Sequence, residues 1–371
     1  MSSSEVLSNR ALNRATLARQ MLLERAAVNP VEAVQRLAGM QAQEPRPPFI
    51  GLWSRIEDGR RDVMQRAMHE RELVRGTLMR GTIHLVTADD YATFRPAIQP
   101  VLDQAMGLLG DRSAWRDDDE ERVLATAQDL LQAQPRTFAE LRSLLTETFP
   151  LINDRALGFL VRMKLALVLE PIAHPWAYAA NARFTLAEPW LGMPLAPMPD
   201  TEALVVRYLA AFGPATVADV QTWSGLRNLR PIVEALRPHL VTFRNEQGKE
   251  LFDLPDAPRP DPEMPAPVRF LPEFDNLLLS HADRTRVIAD EHRNVVYQKG
   301  NLRLLSSFLV DGVVAGIWRV EARRKIATLT LTPFAQQPRR VQAELRDEGE
   351  RLLRFLEPDA TTHDIVFVAA G

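Results

Sequence analysis

The sequence predicts an α+β chain: three successive helical units, each closed by a short β-hairpin, followed by a β-rich, barrel-like C-terminal part. Three observations lead there. A Pro-x-Thr-x-x-acidic-apolar pattern occurs as Pro135-Arg136-Thr137-Phe138-Ala139-Glu140-Leu141 and again as Pro214-Ala215-Thr216-Val217-Ala218-Asp219-Val220, 79 residues later. Thr with an acid three positions on is a capping box, so each copy opens a helix at the same point of a repeated unit. The hydrophobic period also changes from helical to alternating at residues 73–86 and at 241–252, as a hairpin requires. Beyond residue 267, short apolar runs separated by turn residues replace the helical pattern. Helices followed by a hairpin outline a winged helix-turn-helix, and three in tandem form a curved scaffold.

The elements follow in order. Residues 11–25 form a helical run with Leu12, Ala15, Leu17, Leu22 and Leu23 apolar, ended by Val28-Asn29-Pro30. Pro30 suits the first position of a second helix, in which Val31, Val34, Leu37 and Ala38 share a face. Residues 49–56 and 62–73 read as two more helices, and the hairpin at 73–86 carries Gly76 and Gly81. A helical connection (89–109) and an acidic link (117–121) lead to a second pass, with helices over 121–131, from Thr137, and over 156–169, and a wing over 176–186. The third pass has helices over 202–212, from Thr216, and over 229–236, then a hairpin turning at Asn245-Glu246-Gln247-Gly248. Six prolines between Pro255 and Pro267 form a stiff linker. Strands are expected at 268–271, 277–279, 287–288, 295–297, 302–310, 313–320, 325–331 and 365–369, with a helix at 342–356, as in a small barrel or a curled sheet with a covering helix. The resulting boundaries are 1–116, 117–199, 200–260 and 261–371.

Composition narrows the function. Hydrophobic content of 46% and charged content of 25% over 371 residues describe an ordinary globular protein with ample core. There is no Cys, which excludes disulfides, thiolate catalysis and cysteine-ligated metal or iron–sulfur sites. The seven His are scattered with no ligand spacing, and no phosphate-cradling glycine motif occurs, so neither a metal nor a nucleotide cofactor is expected. No run approaches membrane-spanning length and no signal peptide opens the chain, so a cytoplasmic protein without membrane partners is expected. Net charge is −3, so any surface for nucleic acid must be local. Of 45 basic residues only four are Lys (Lys164, Lys249, Lys299, Lys325). Arg suits phosphate contact, although a GC-rich genome would give the same bias.

The stretch Leu37-Ala38-Gly39-Met40-Gln41-Ala42-Gln43-Glu44-Pro45 is where chemistry is sought. On a helix Gln41 and Gln43 would point roughly 200° apart, whereas on an extended segment they share a side. Pro45 biases Glu44 away from helix, which favours extension here. The alternative is a polar helix end that happens to hold two Gln. Other candidates are Arg46; Arg75 and Arg80 flanking the first wing; and Ser280-His281-Ala282-Asp283-Arg284-Thr285-Arg286. This last stretch reads either as a hairpin tip that enters a groove, with His281, Arg284 and Arg286 on DNA, or as a surface turn. Arg319-Val320-Glu321-Ala322-Arg323-Arg324-Lys325 carries four positive charges in seven residues; Arg323 and Arg324 suit phosphate, or simply a solvated turn. His84 in an alternating strand reads as packed or solvated rather than catalytic.

Gln41-Ala42-Gln43 followed by Pro47-Pro48-Phe49-Ile50-Gly51-Leu52-Trp53-Ser54-Arg55-Ile56 resembles the AlkZ family of bacterial DNA glycosylases. So do residues 75–86 (RGTLMRGTIHLV), 271–276 (LPEFDN), 280–284 (SHADR) and 310–319 (VDGVVAGIWR), in the family's order and from about residue 5 to the C-terminus. The resemblance implies winged helices curved around one duplex with a basic concave face, a catalytic Gln-x-Gln pair at Gln41 and Gln43, and a hairpin in the cleft. It also implies as substrates bulky N7 adducts and interstrand crosslinks, such as those of azinomycin, and a self-resistance role. The residues support the chemistry independently. A cationic N7-alkylguanine leaves without protonation, so a neutral amide that positions water and lends its dipole to the sugar cation suffices. A carboxylate would suit an unactivated base; Glu44 rivals the pair for water activation. With no Lys beside the glutamines to form a Schiff base, the expectation is a monofunctional, monomeric glycosylase without lyase activity, acting on double-stranded DNA that carries alkylated guanine or crosslinks. The rival is a non-catalytic winged-helix regulator, which would prefer a palindrome as a dimer, or a drug-sequestering resistance protein, which would bind free drug.

Overall fold

A computed structural model of the protein describes residues 5–109, 115–298, 300 and 303–369. Its first helix, Asn9–Arg19, starts at Ser8, whose side chain accepts from the Ala11 N–H. It is shorter than its apolar run because Met21 turns the chain at φ 55°. Pro30–Arg36 follows, capped by Asn29 with Pro30 in its first turn. Helices Pro47–Trp53 and Arg61–His69 precede a hairpin of Leu73–Thr77 and Ile83–Thr87, in register from Leu73↔Thr87 to Thr77↔Ile83. The connecting helix is Ala88–Ala105.

The second pass consists of helices Asp119–Ala133, Phe138–Thr148 and Asp154–Lys164, then strands Leu167–Leu169 and Phe184–Leu186. The third consists of helices Thr201–Phe212, Val217–Ser224 and Arg230–Leu236, then a hairpin of Val241–Asn245 and Glu250–Asp253. Both expected capping boxes are formed, Thr137 with Glu140 and Thr216 with Asp219. Strand replaces the last turns expected of the 156–169 helix: it stops at Lys164, and Leu167–Leu169 pairs with Phe184–Leu186.

The hairpins do not stand alone. A five-stranded sheet runs Met40–Gln41, Ile83–Thr87, Leu73–Thr77, Leu167–Leu169, Phe184–Leu186, joining the first and second passes where Gly76 faces Val168. A Cβ on Gly76 would lie 2.9 Å from the Leu167 carbonyl oxygen, so the junction requires glycine. At the chain's beginning, Val6–Leu7 pairs parallel to Val241–Asn245 of the third hairpin. A buried ion pair, Arg19 to Asp253 at 2.7 and 2.8 Å, fastens the first helix to that unit. One apolar core, including Leu37, Leu85, Ile98, Leu160, Tyr208 and Trp223, runs beneath all three passes.

The C-terminal part is an open sheet, which corrects the barrel-like expectation. Its order is Thr362–Phe367, Ile326–Pro333, Val313–Arg323, Ser307–Val310, Arg269–Leu271, and the two outer strands do not pair. The alternation explains why: Ala327, Leu329 and Leu331 are buried while Thr328 and Thr330 are half-buried. The apolar face is covered by helix Arg339–Leu356 through Leu345, Leu352 and Leu353, so closure is unnecessary. Three short runs expected as strands are otherwise. Residues 277–279 lie in and just after a 3-10 turn, Asn276–Leu278; 287–288 belong to no strand; and 295–296 end a helix, Asp290–Val296. Leu302 lies outside the described residues. Ile50 and Trp53 join this second core, so the helix after the glutamines is seated on the C-terminal sheet.

Candidate active site

The chain is extended at Met40–Gln41 and bends from Gln43 to Arg46, so the strand stops short of Glu44, the residue that Pro45 constrains. Helix Pro30–Arg36 ends in a turn with Ala38 at φ 51° and Gly39 at φ 90°. A Cβ on Gly39 would stand 3.2 Å from the Leu85 carbonyl oxygen, so only glycine turns the chain into strand here. Met40 then faces Leu85, Gln41 faces His84, and the Ala42 N–H donates to Ile83 O at 2.8 Å.

Both amides are held by the neighbouring hairpin. Gln41 Oε1 accepts from Arg80 Nη2 at 2.8 Å, and Gln43 Oε1 accepts from the Ile83 N–H at 3.3 Å. Only an oxygen can face these donors, so the orientation of each amide is settled and each Nε2 points elsewhere. Gln41 is buried at 9% exposure and Gln43 is exposed. The pair is therefore unequal: one amide is set into the protein and one faces solvent.

The support beneath the pair is cationic. Arg80, itself at φ 57°, also donates to the Trp223 carbonyl oxygen. Desolvation, with Arg284 nearby, lowers its pKa to about 10. Arg75 is buried and donates from Nη2 to Ala42 O at 2.6 Å, its guanidinium 4.6 Å over the Tyr178 ring. Burial lowers its pKa to about 10 as well and pushes the Tyr178 hydroxyl up. Arg75 thus faces the backbone of the glutamine loop. His84, fully buried, makes its Nδ1 contact with Thr82 O at 3.1 Å, and burial with Arg80 depresses it to about 3. It is neutral at pH 7 and packed, as its strand position suggests.

The 280–286 stretch is not a hairpin tip. His281 is 1% exposed, with Nε2 3.1 Å from Phe212 O, and burial depresses it to about 3. Arg286 is buried, donating to Pro214 O and Thr16 Oγ1, both at 3.2 Å. These two ends of the stretch, His281 and Arg286, are packed between the first helix and the third unit, while Ala282 and Asp283 form an exposed turn in which Asp283 accepts from the Thr285 N–H at 3.0 Å. Arg284 is half-buried, stacked 4.5 Å over Tyr297. Arg46 is half-buried, 3.3 Å from Glu357 and 5.4 Å over Trp176. Arg323 and Arg324 lie at the tip of the long hairpin of the C-terminal sheet, exposed. Glu44 is exposed and lines a groove with Arg46, Glu273, Arg303 and Trp318.

Three residues that the sequence reading quoted but did not assign complete the frame. Asp275 forms a two-point ion pair with Arg55 at 2.9 and 2.8 Å, both side chains buried. Next to it, Asn276 Oδ1 accepts from the Gln41 N–H at 3.2 Å, and its Nδ2 donates to Gly39 O. The signal available was a charged Asp and Arg inside apolar surroundings in two separate motifs, which in a soluble protein calls for a partner.

The α+β fold matches one class of protein. The chain belongs to the AlkZ-like DNA glycosylases, whose family model matches residues 34–355. It is 23% identical over 367 residues to a protein of Streptomyces sahachiroi described as an interstrand DNA cross-link repair glycosylase, covering 91% of this chain and 93% of that protein. Its fold is similar to the solved structure of the Streptomyces sahachiroi DNA glycosylase AlkZ, with a TM-score of 0.80 and 20% identity over 98% of this chain and 100% of that one.

Proposed function

We propose that this protein is a monofunctional, cofactor-independent DNA glycosylase that hydrolyses the N-glycosidic bond of N7-alkylated guanines. Bulky adducts and interstrand crosslinks fall within its range, consistent with the description of its Streptomyces relative. It acts in the cytoplasm as a monomer whose three helical units serve as winged helices along one duplex. The observation that carries this reading is the fixed, unequal glutamine pair.

Water adds to C1′ as the C1′–N9 bond breaks; the bonding electrons go to the base and neutralise its positive charge, and the water's proton passes to solvent. Each Gln carbonyl oxygen has two lone pairs, and among the described residues only one is engaged by the protein. Gln43, bonded to a neutral N–H and facing solvent, is the better acceptor for the attacking water. Gln41, polarised by Arg80, holds its amide rigidly toward the sugar, where a preorganised dipole counts most. Duplex contact falls to Arg323 and Arg324 at the hairpin tip, with Arg46 and Arg284 nearer the pair; Arg75, His281 and Arg286 act as internal supports.

The test is single-turnover release of 7-methylguanine from duplex DNA, with abasic sites revealed by mild alkali. Gln41→Ala and Gln43→Ala each lower the rate constant by roughly a hundred-fold or more while still binding DNA. A borohydride-trapped DNA adduct would overturn the monofunctional assignment. A wild type inert on both this lesion and a crosslinked duplex, yet binding a palindrome as a dimer, would establish the regulator instead.

A further inference from the structure

The strand bearing Gln41 has two edges. One pairs with Ile83–Thr87. On the other, Gly39 O and the Gln41 N–H face away from the sheet, and among the described residues no sixth strand covers them. The side chain of Asn276 does: its Oδ1 accepts from Gln41 N and its Nδ2 donates to Gly39 O. A primary amide presents a donor and an acceptor side by side, as a neighbouring strand does, so one side chain substitutes for a missing strand.

Asn276 is itself immobilised. It is 6% exposed, Asp275 before it is locked to Arg55, and its carbonyl accepts from Ser280 Oγ. Phe274, two residues earlier, takes φ 59°, a conformation disfavoured for a bulky residue and held by its surroundings. The same segment begins in strand Arg269–Leu271 of the C-terminal sheet and reaches Ala282, whose N–H donates to the Asp219 carboxylate of the third unit. Gln41 is thus gripped on three sides: its strand partner, Arg80 on its side-chain oxygen, and Asn276 on its backbone.

We propose that Asn276 is a positioning residue for Gln41, setting the height and angle at which the Gln41 amide meets the sugar. This rests on the catalytic reading of Gln41 and adds a residue that touches neither substrate nor water. Misplacement of a reacting group by about 1 Å can cost on the order of a hundred-fold in rate, so the loss expected of Asn276→Ala is between roughly ten- and a hundred-fold in the single-turnover rate constant, with DNA affinity unchanged. In a Gln41→Ala background the same substitution costs nothing further, whereas a general structural defect would add its loss there too. Asn276→Asp keeps the acceptor for the Gln41 N–H, loses the donor to Gly39 O and gives an intermediate loss; it also serves should the Ala variant fail to fold.

Hydrogen exchange at the Gln41 backbone amide provides a readout independent of activity: protected in the wild type, faster in Asn276→Ala, with His84 and Leu85 amides unchanged. Equal rate losses from Asn276→Ala in the wild-type and Gln41→Ala backgrounds would overturn the proposal, as would a Gln41 amide that stays protected in Asn276→Ala. If the wild type releases no base, the catalytic reading of Gln41 fails, while the exchange experiment still decides whether the clamp exists.

Discussion

The glutamine strand and the tip of the long C-terminal hairpin are opposite solutions to the use of polar side chains. Around Gln41 every group is fixed: Arg80, Asn276 and the Ile83 backbone hold the pair, and Arg55–Asp275 holds Asn276. At the hairpin tip Arg323 is 87% exposed along its side chain, 3.9 Å from Glu321. Arg324 and Lys325 occupy the turn at φ 49° and 65°, where Asn-Gly would be the relaxed choice. Bond-breaking needs orientation held before the substrate arrives, so it is built from buried hydrogen bonds. On the function proposed above, holding a polyanion needs charge at a distance, which exposed side chains on a left-handed turn can supply.

The comparison can be broken at its buried end first. Asp275→Ala leaves the Arg55 guanidinium buried without its carboxylate and lowers stability by about 3–5 kcal/mol, read as a shift in the urea unfolding midpoint. A surface-like response, under about 1 kcal/mol, would mean that the frame is looser than its geometry. Acid comes next. His84 and His281 are held near 3 against an ordinary 6.5, so the native state keeps them neutral and unfolding takes up their protons. Their contribution to stability is complete above the unfolded value and is lost as pH falls from about 6.5 toward 3, by up to roughly 1.4 kcal/mol per pH unit for each histidine. Unfolding midpoints between pH 7 and pH 4 check this, and His281→Asn flattens the profile. The exposed end gives the smallest effects. Arg323→Ala and Arg324→Ala each reduce the slope of log affinity against log salt by about 0.9 without changing the saturating rate, as measured by anisotropy over a salt series. Lys325→Gly relieves a left-handed residue, raising stability by about 1 kcal/mol while weakening DNA binding.

Legibility in the sequence follows the same division. Local signals succeeded: the two Thr caps and the hairpin at residues 73–86 depend on neighbours in the chain. The signals that misled were those whose meaning depends on distant packing. His281 and Arg286 sit among turn residues and look exposed, yet the first helix and the third unit enclose them. The strand-rich half allows either a small barrel or a curled sheet with a covering helix, and local pattern does not choose between them; the helix satisfies the apolar face and leaves the sheet open. The Asn276 clamp was out of reach altogether, since no periodicity links a residue to a strand edge 235 positions away.

That separation has a consequence for synthesis. A chain emerging from the ribosome exposes both glutamines early, but Trp223, which receives Arg80, and Asn276, which grips the strand, arrive only when most of the polypeptide has been made. A nascent or prematurely terminated product therefore carries the proposed catalytic pair without the parts that hold it. An activity that removes bases from the genome is withheld until the molecule that can control it is nearly whole.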